Sequence, residues 1–156
     1  MDYFKTYKIE VGKGKYKEEM VYGLALVYNL INREVSKYLS PFKLSVAKFN
    51  VLMAIKHVGG KEGISQIDIG HRLIVSASNM TRILDKLERG GLILRSAQEG
   101  DRRINVVKVT KEASDILDQI WPGYVKLIEE LGDKLEIHEQ KVAAGLLIKW
   151  FEKLKE

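Results

Sequence analysis

The stretch from 65 to 110, SQIDIGHRLIVSASNMTRILDKLERGGLILRSAQEGDRRINVVKVT, decides the architecture. Ser65 is placed to accept a hydrogen bond from a backbone N–H of an opening helical turn. Asp68, three residues on, sets an anion where the helix dipole favours one. That helix ends near Leu73, Ile74-Val75 is a tight connection, and Ser76 is placed to cap a second helix. In the second helix Ala77, Met80, Ile83, Leu84 and Leu87 recur at a spacing of three or four, the mark of one buried side. Gly90-Gly91 ends it, because glycine enters the left-handed conformation without steric cost. Two helices joined by so short a turn form a helix-turn-helix candidate.

The residues that follow sharpen that reading. Residues 92–97 and 104–109 are rich in β-formers, and Gln98-Glu99-Gly100-Asp101-Arg102-Arg103 between them is a glycine-containing connection suited to a hairpin. Helix-turn-helix followed by a β-hairpin is a winged helix. The expected fold is therefore mainly α with a small β-hairpin wing, flanked by N- and C-terminal helices.

On the second helix Asn79, Arg82, Lys86 and Arg89 are spaced three, four and three, so they share a face opposite the Met80-Leu84-Leu87 stripe. A helix entering a major groove needs this pattern: donors near its N-terminus for base edges and cations for the flanking phosphates. Ser76, Ser78 and Thr81 add short hydroxyls that reach phosphate oxygens or base edges without blocking close approach. At the wing tip, Arg102 and Arg103 suit a narrow minor groove or its phosphates. Asp101 beside them is read as the acceptor that fixes an arginine's direction. Arg95, Lys108 and Lys111 flank the wing as expected phosphate neighbours. Any exposed helix carries lysine and arginine, so the recognition helix alone is evenly balanced between a solvated face and a DNA-binding one. The charged wing tips the balance toward DNA.

Outside this segment, apolar residues recur at helical spacing from about Tyr16 to Leu39, until Ser40-Pro41 stops the helix. Another helix is expected from Ser45 to near Gly59-Gly60. After Thr110, a further cap, a long helix is expected to be interrupted by Trp121-Pro122-Gly123. A last helix from about His138 carries Val142, Ala143, Leu146, Leu147, Trp150, Phe151 and Leu154 along one side. The terminal helices hold more apolar surface than a small winged domain needs, which points to a homodimer.

Composition agrees with one compact domain spanning 1–156, its winged core at about 44–110 and dimerisation helices at about 16–39 and 111–156. The 156 residues are 46% hydrophobic and 30% charged, enough to bury a core, with a net charge of +5 and no cysteine. Residues 61–111 carry ten cations against six acids and residues 112–156 six against ten, so the basic part is the part expected to meet a polyanion. Without cysteine there is no disulfide, thiolate nucleophile or thiol-based oxidant sensor. The apolar runs are too short to span a bilayer and no signal peptide is evident, so a cytoplasmic protein is expected. His57, His71 and His138 fall on different helices without ligand spacing, and Gly12-Lys13-Gly14-Lys15 lacks the phosphate-loop pattern. No enzyme, metal site or cofactor is expected.

The segment 65–110 resembles the MarR family of transcriptional regulators in its TR..D.LE..GL..R helix-to-strand signature, its D-R-R wing and its closing V-T. LSVAKFNVLMAI, residues 44–55, is similar to that family's preceding helix. The resemblance implies a homodimer on a pseudo-palindromic operator in double-stranded DNA. In it Ser76, Ser78, Asn79, Thr81 and Arg82 face the major groove, and Arg103 is the wing arginine held by Asp101. It also implies release by small aromatic or anionic compounds held between the dimerisation helices and the winged domain. Tyr22, Tyr28, Phe42, Phe49, Trp121 and Tyr124 are candidate lining, although core packing accounts for most aromatics at helical spacing. Gly70 stands where the family usually has alanine, and Ala113 where glycine is common. The alternative function is a winged-helix module that binds an acidic protein through the same surface. Salt-sensitive preference for specific over random duplex separates the two.

Overall fold

The computed structural model describes residues 3–6, 8–98 and 101–156, with side chains for all of these except Tyr3 and residues 97–105. Two compact units emerge, Met1–Gln119 and Ile120–Glu156. The first opens with a short helix, α1 (Tyr3–Thr6), and a long one, α2 (Tyr16–Leu39). Ser40-Pro41 ends α2 as expected. A single tight turn, Ser40–Phe42, follows, and Lys43 closes it at a φ of 56°. Ser45 starts α3 (Val46–Ala54) by accepting from the Lys48 N–H at 3.3 Å, and α3 opens into a wider helical turn at Ile55–Gly59.

Ser65 behaves as a cap should. Its Oγ accepts from the Asp68 N–H at 3.1 Å and donates to the Asp68 carboxylate at 2.7 Å, which starts α4 (Gln66–Leu73). Ile74 then turns the chain in the left-handed conformation (φ 52°), and α5 (Ala77–Arg89) follows. Ser76 stands at the cap position of α5, but its hydroxyl makes no capping bond and lies 3.4 Å from the Ser78 hydroxyl. The expected cap is therefore absent, because the hydroxyl is turned to its neighbour and not to the helix's N–H groups. At the other end the Leu92 N–H reaches the Leu87 carbonyl at 2.9 Å around Gly91, whose φ of 70° is the one the closing turn requires.

Strands β2 (Ile93–Gln98) and β3 (Asp101–Val109) pair antiparallel, with Ile93 opposite Val109 and Gln98 opposite Asp101, and an irregularity between Ala97 and Gln98. The backbone of Asp101, Arg102 and Arg103 thus belongs to the strand, where a connecting loop was expected. A third strand, β1 (Ile64–Ser65), pairs with the other side of β3, Ile64 opposite Val107, so the wing sheet has the order β1-β3-β2. Gly63 makes this pairing feasible. At a φ of 84° it lies so close to β3 that an added Cβ would sit 2.6 Å from Val106 Cγ1 and 2.8 Å from the Val107 carbonyl.

One core joins these elements. Leu39 of α2, Phe49 and Leu52 of α3, Ile69 of α4, Met80, Leu84 and Leu87 of α5, and Ile93 and Val107 of the sheet are all buried. Helix α6 (Lys111–Gly132) starts beyond Thr110, whose hydroxyl accepts from the Ala113 N–H at 3.2 Å and donates to the Gly91 carbonyl at 2.9 Å. Pro122 lies inside α6 without ending it. The expected interruption does not occur: proline removes only one backbone donor, and the turns on either side keep theirs.

In the second unit α7 (Ile137–Lys155) begins with a reciprocal cap, in which Glu136 accepts from the helix and its own N–H donates to Glu139 Oε2 at 2.8 Å. Val142, Leu146, Ile148 and Leu154 of α7 are exposed, as are Met20, Val27 and Tyr28 of α2 in the first unit. Among the described residues no helix is long and apolar enough to cross a membrane.

Candidate nucleic-acid interface

Helix α5 is amphipathic for a simple reason: its apolar residues fall every three or four positions, and burying them fixes which way everything else points. Met80, Leu84 and Leu87 are fully buried, while Ser76, Ser78, Asn79, Thr81, Arg82, Lys86 and Arg89 are all exposed. All the residues expected on the outer face of this helix are therefore accessible.

They are not all equally available. The Thr81 hydroxyl donates to the Ala77 carbonyl at 3.0 Å and accepts from Gln66 Nε2 at 2.8 Å, so it braces α5 to the start of α4. Arg89 Nε donates back to the Asp85 carbonyl at 3.2 Å. No such bond engages the Arg82 or Lys86 side chain among the described residues, and both stand in solvent with nothing to displace.

The wing divides in two. Arg95 leaves the expected set of outward cations. Its Nη2 donates to Asp85 Oδ1 at 2.7 Å, Glu88 Oε2 lies 3.5 Å from its Nε, and only 18% of its side chain is exposed. It faces α5 because β2 alternates, and its side of the strand is the buried side that also holds Ile93. Its partners Asp85 and Glu88 stand with it in the helix-to-strand signature, but no pairing was read for them from the sequence. Their spacing of three on α5, shortly before a strand cation, is the signal that was available. The expected pairing of Asp101 with Arg103, and the direction of Arg102, lie outside the described side chains.

Lys108 lines an open cavity of about 660 Å³ with Glu62, Asp68 and Arg72, and Lys111 pairs with Asp115 at 3.0 Å on the surface. A second cavity, of about 430 Å³, lies among α2, α3 and the α4–α5 corner and is lined by Tyr28, Asn32, Asn50, Val75 and Ile83 among others. Of the aromatics considered for a ligand site, Tyr28 lines this cavity and Phe49 belongs to the core. Trp121 and Tyr124 pack on each other with ring centroids 5.8 Å apart. Among the described residues no group of His, Asp or Glu is placed to hold a metal ion.

A buried-face helix following a tight turn, backed by a three-stranded antiparallel sheet, defines a winged helix-turn-helix protein. The model of the MarR family matches residues 44–104. The HTH-type transcriptional regulator MhqR of Bacillus subtilis (strain 168) is 27% identical over 124 residues, covering 80% of this chain and 83% of that protein. The uncharacterized HTH-type transcriptional regulator YfiV of the same organism is 33% identical over 116 residues, covering 74% and 70%. Among solved structures, a mutant MarR from E. coli complexed with operator DNA superposes with a TM-score of 0.79 at 25% identity, covering 96% of this chain and 98% of that one. The chain belongs to the MarR family, whose members matched here are HTH-type transcriptional regulators.

Proposed function

We propose that this protein is a transcriptional regulator that binds a pseudo-palindromic operator as a homodimer, its two α5 helices in successive major grooves. One observation carries the reading: the outward side of α5 holds Ser78, Asn79, Arg82 and Lys86, all exposed, while the inward side is sealed into the core. The similar MarR is a complex with operator DNA, which supports the same mode here. Exposed apolar side chains on α2, and separately those on α7, support dimerisation, since each helix bears apolar surface that a second copy would cover. A twofold pair then spaces its recognition helices roughly 34–36 Å apart, one turn of the duplex. Arg102 and Arg103 complete the interface from the wing.

The lining of the cavity of about 430 Å³ supports one effector class over the other. Its lining is neutral throughout, with Asn32, Asn50, Ser36 and Tyr28 as hydrogen-bonding groups and no cation to balance a carboxylate. A small neutral aromatic suits it better than an anion. Because Val75 and Ile83 belong to its wall, an occupant would press on the recognition helix.

The test is a titration of duplex fragments selected from the source genome, followed by fluorescence anisotropy at several salt concentrations. Specific duplex should bind far more tightly than random duplex, with log affinity falling linearly against log salt. Equal binding of both duplexes, alongside tight capture of an acidic protein, would replace this reading with that of a protein-interaction module.

A further inference from the structure

We propose that Arg95 is a positioning residue for DNA recognition, acting through Asp85 and Glu88 to hold the wing and the recognition helix in one fixed relation; the inference rests on the DNA-binding reading above. Three observations converge. The Arg95 side chain turns from β2 toward α5, where its Nη2 meets Asp85 Oδ1 at 2.7 Å. Glu88, one helical turn on, lies 3.5 Å from Nε, and that Nε is buried without a hydrogen-bond partner among the described residues. A guanidinium between two carboxylates of one helix resists both sliding and rotation of that helix, since either motion would leave a largely buried cation facing fewer acceptors.

The placement along α5 gives the brace its consequence. Asp85 lies between Arg82 and Lys86, so the anchor sits at the same level as the cations that would face DNA. Gly90, Gly91 and Leu92 separate α5 from β2, and the Leu92 N–H closes the turn on the Leu87 carbonyl at 2.9 Å. The Thr110 hydroxyl on the Gly91 carbonyl ties the turn, but it does not set the rotation of α5 about its axis. Burial of Met80, Leu84 and Leu87 sets which side of α5 faces outward, and Arg95 fastens that helix to the wing strand while withdrawing the charge of Asp85 from a surface meant for phosphates.

The sign of one substitution separates the brace from simple charge. Asp85→Asn removes an anion beside the duplex, so charge alone predicts tighter binding to every DNA. The brace predicts that Asp85→Asn and Arg95→Gln each lower the ratio of specific to random duplex affinity about tenfold, the scale of one lost base-pair preference. Random-duplex affinity of Asp85→Asn should hold or rise. Arg95→Lys, which keeps the charge but cannot bridge two carboxylates, should recover only part of the ratio. Circular dichroism and retained random-duplex binding report that each variant is folded. Wild-type preference for its duplex, unchanged in Asp85→Asn, overturns the brace alone. A wild-type protein with no preference overturns the DNA-binding reading and the brace together.

Discussion

Gln66 donates a 2.8 Å hydrogen bond to the Thr81 hydroxyl, which in turn donates to the Ala77 carbonyl at 3.0 Å. The first residue of α4 is thus fastened to the start of the second turn of α5, fifteen residues away in sequence. The crossing of the two helices is held by this polar link as well as by Ile69 and Met80, which are both buried. Thr81→Val keeps the shape of the side chain and removes the link. It should lower stability by about 0.5–1.5 kcal/mol in urea unfolding, the usual range for one hydrogen bond. Gln66→Met should lose nearly the same, and the double variant little more. Fully additive losses would mean that the two residues act independently.

Gly63 has no room for a side chain. Its φ of 84° and the absence of room beside Val106 and the Val107 carbonyl leave no place for a methyl group. Gly63→Ala should destabilise the protein by roughly 2–4 kcal/mol, from a strained backbone and an overpacked contact together. A thermal midpoint within about 2 °C of the wild-type value would contradict this account of how β1 reaches β3.

Ile74 presents the opposite case. A β-branched residue at a φ of 52°, 71% exposed, carries strain without burying its side chain in return. Asparagine is tolerated there far better. Ile74→Asn should raise stability by about 1 kcal/mol, read from the shift in urea midpoint at constant slope. A loss of stability would mean that the isoleucine side chain makes a contact worth more than the strain.

The sequence speaks most clearly where structure is local. Ser45 and Ser65 cap as their positions imply, Ser40-Pro41 stops α2, and Gly91 closes α5, because each of these depends on a few neighbouring residues. What escaped reading depends on distant partners. Strand β1 is two residues long, too short to show alternation, and exists only because β3 lies beside it. Arg95 reads as one more basic wing residue until the strand's inward side is known, and only then do Asp85 and Glu88 become its partners. Ser76 carries a capping side chain at a capping position, yet a nearby second hydroxyl diverts it. The outward side of α5 was legible throughout, since burial of Met80, Leu84 and Leu87 leaves Asn79, Arg82 and Lys86 no other direction.

That exposure makes Arg82 and Lys86 a matched pair for separating base reading from phosphate contact. Arg82 lies one turn nearer the N-terminus of α5, the end a recognition helix aims at base edges, and its planar fork suits a guanine. Lys86 lies nearer the C-terminal end and offers only a point charge. Arg82→Ala should therefore weaken binding to the selected duplex by about 1–3 kcal/mol while leaving random duplex less affected, so that sequence preference relaxes. Lys86→Ala should weaken both duplexes alike and reduce the salt slope by about one counterion. Arg103→Ala, at the wing, should weaken binding by about 1–3 kcal/mol without lowering the unfolding midpoint. Anisotropy titrations of the three variants on both duplexes at several salt concentrations read these patterns directly. A uniform loss in Arg82→Ala would reassign that arginine to the phosphates, and unchanged affinity in Arg103→Ala would remove the wing from the interface.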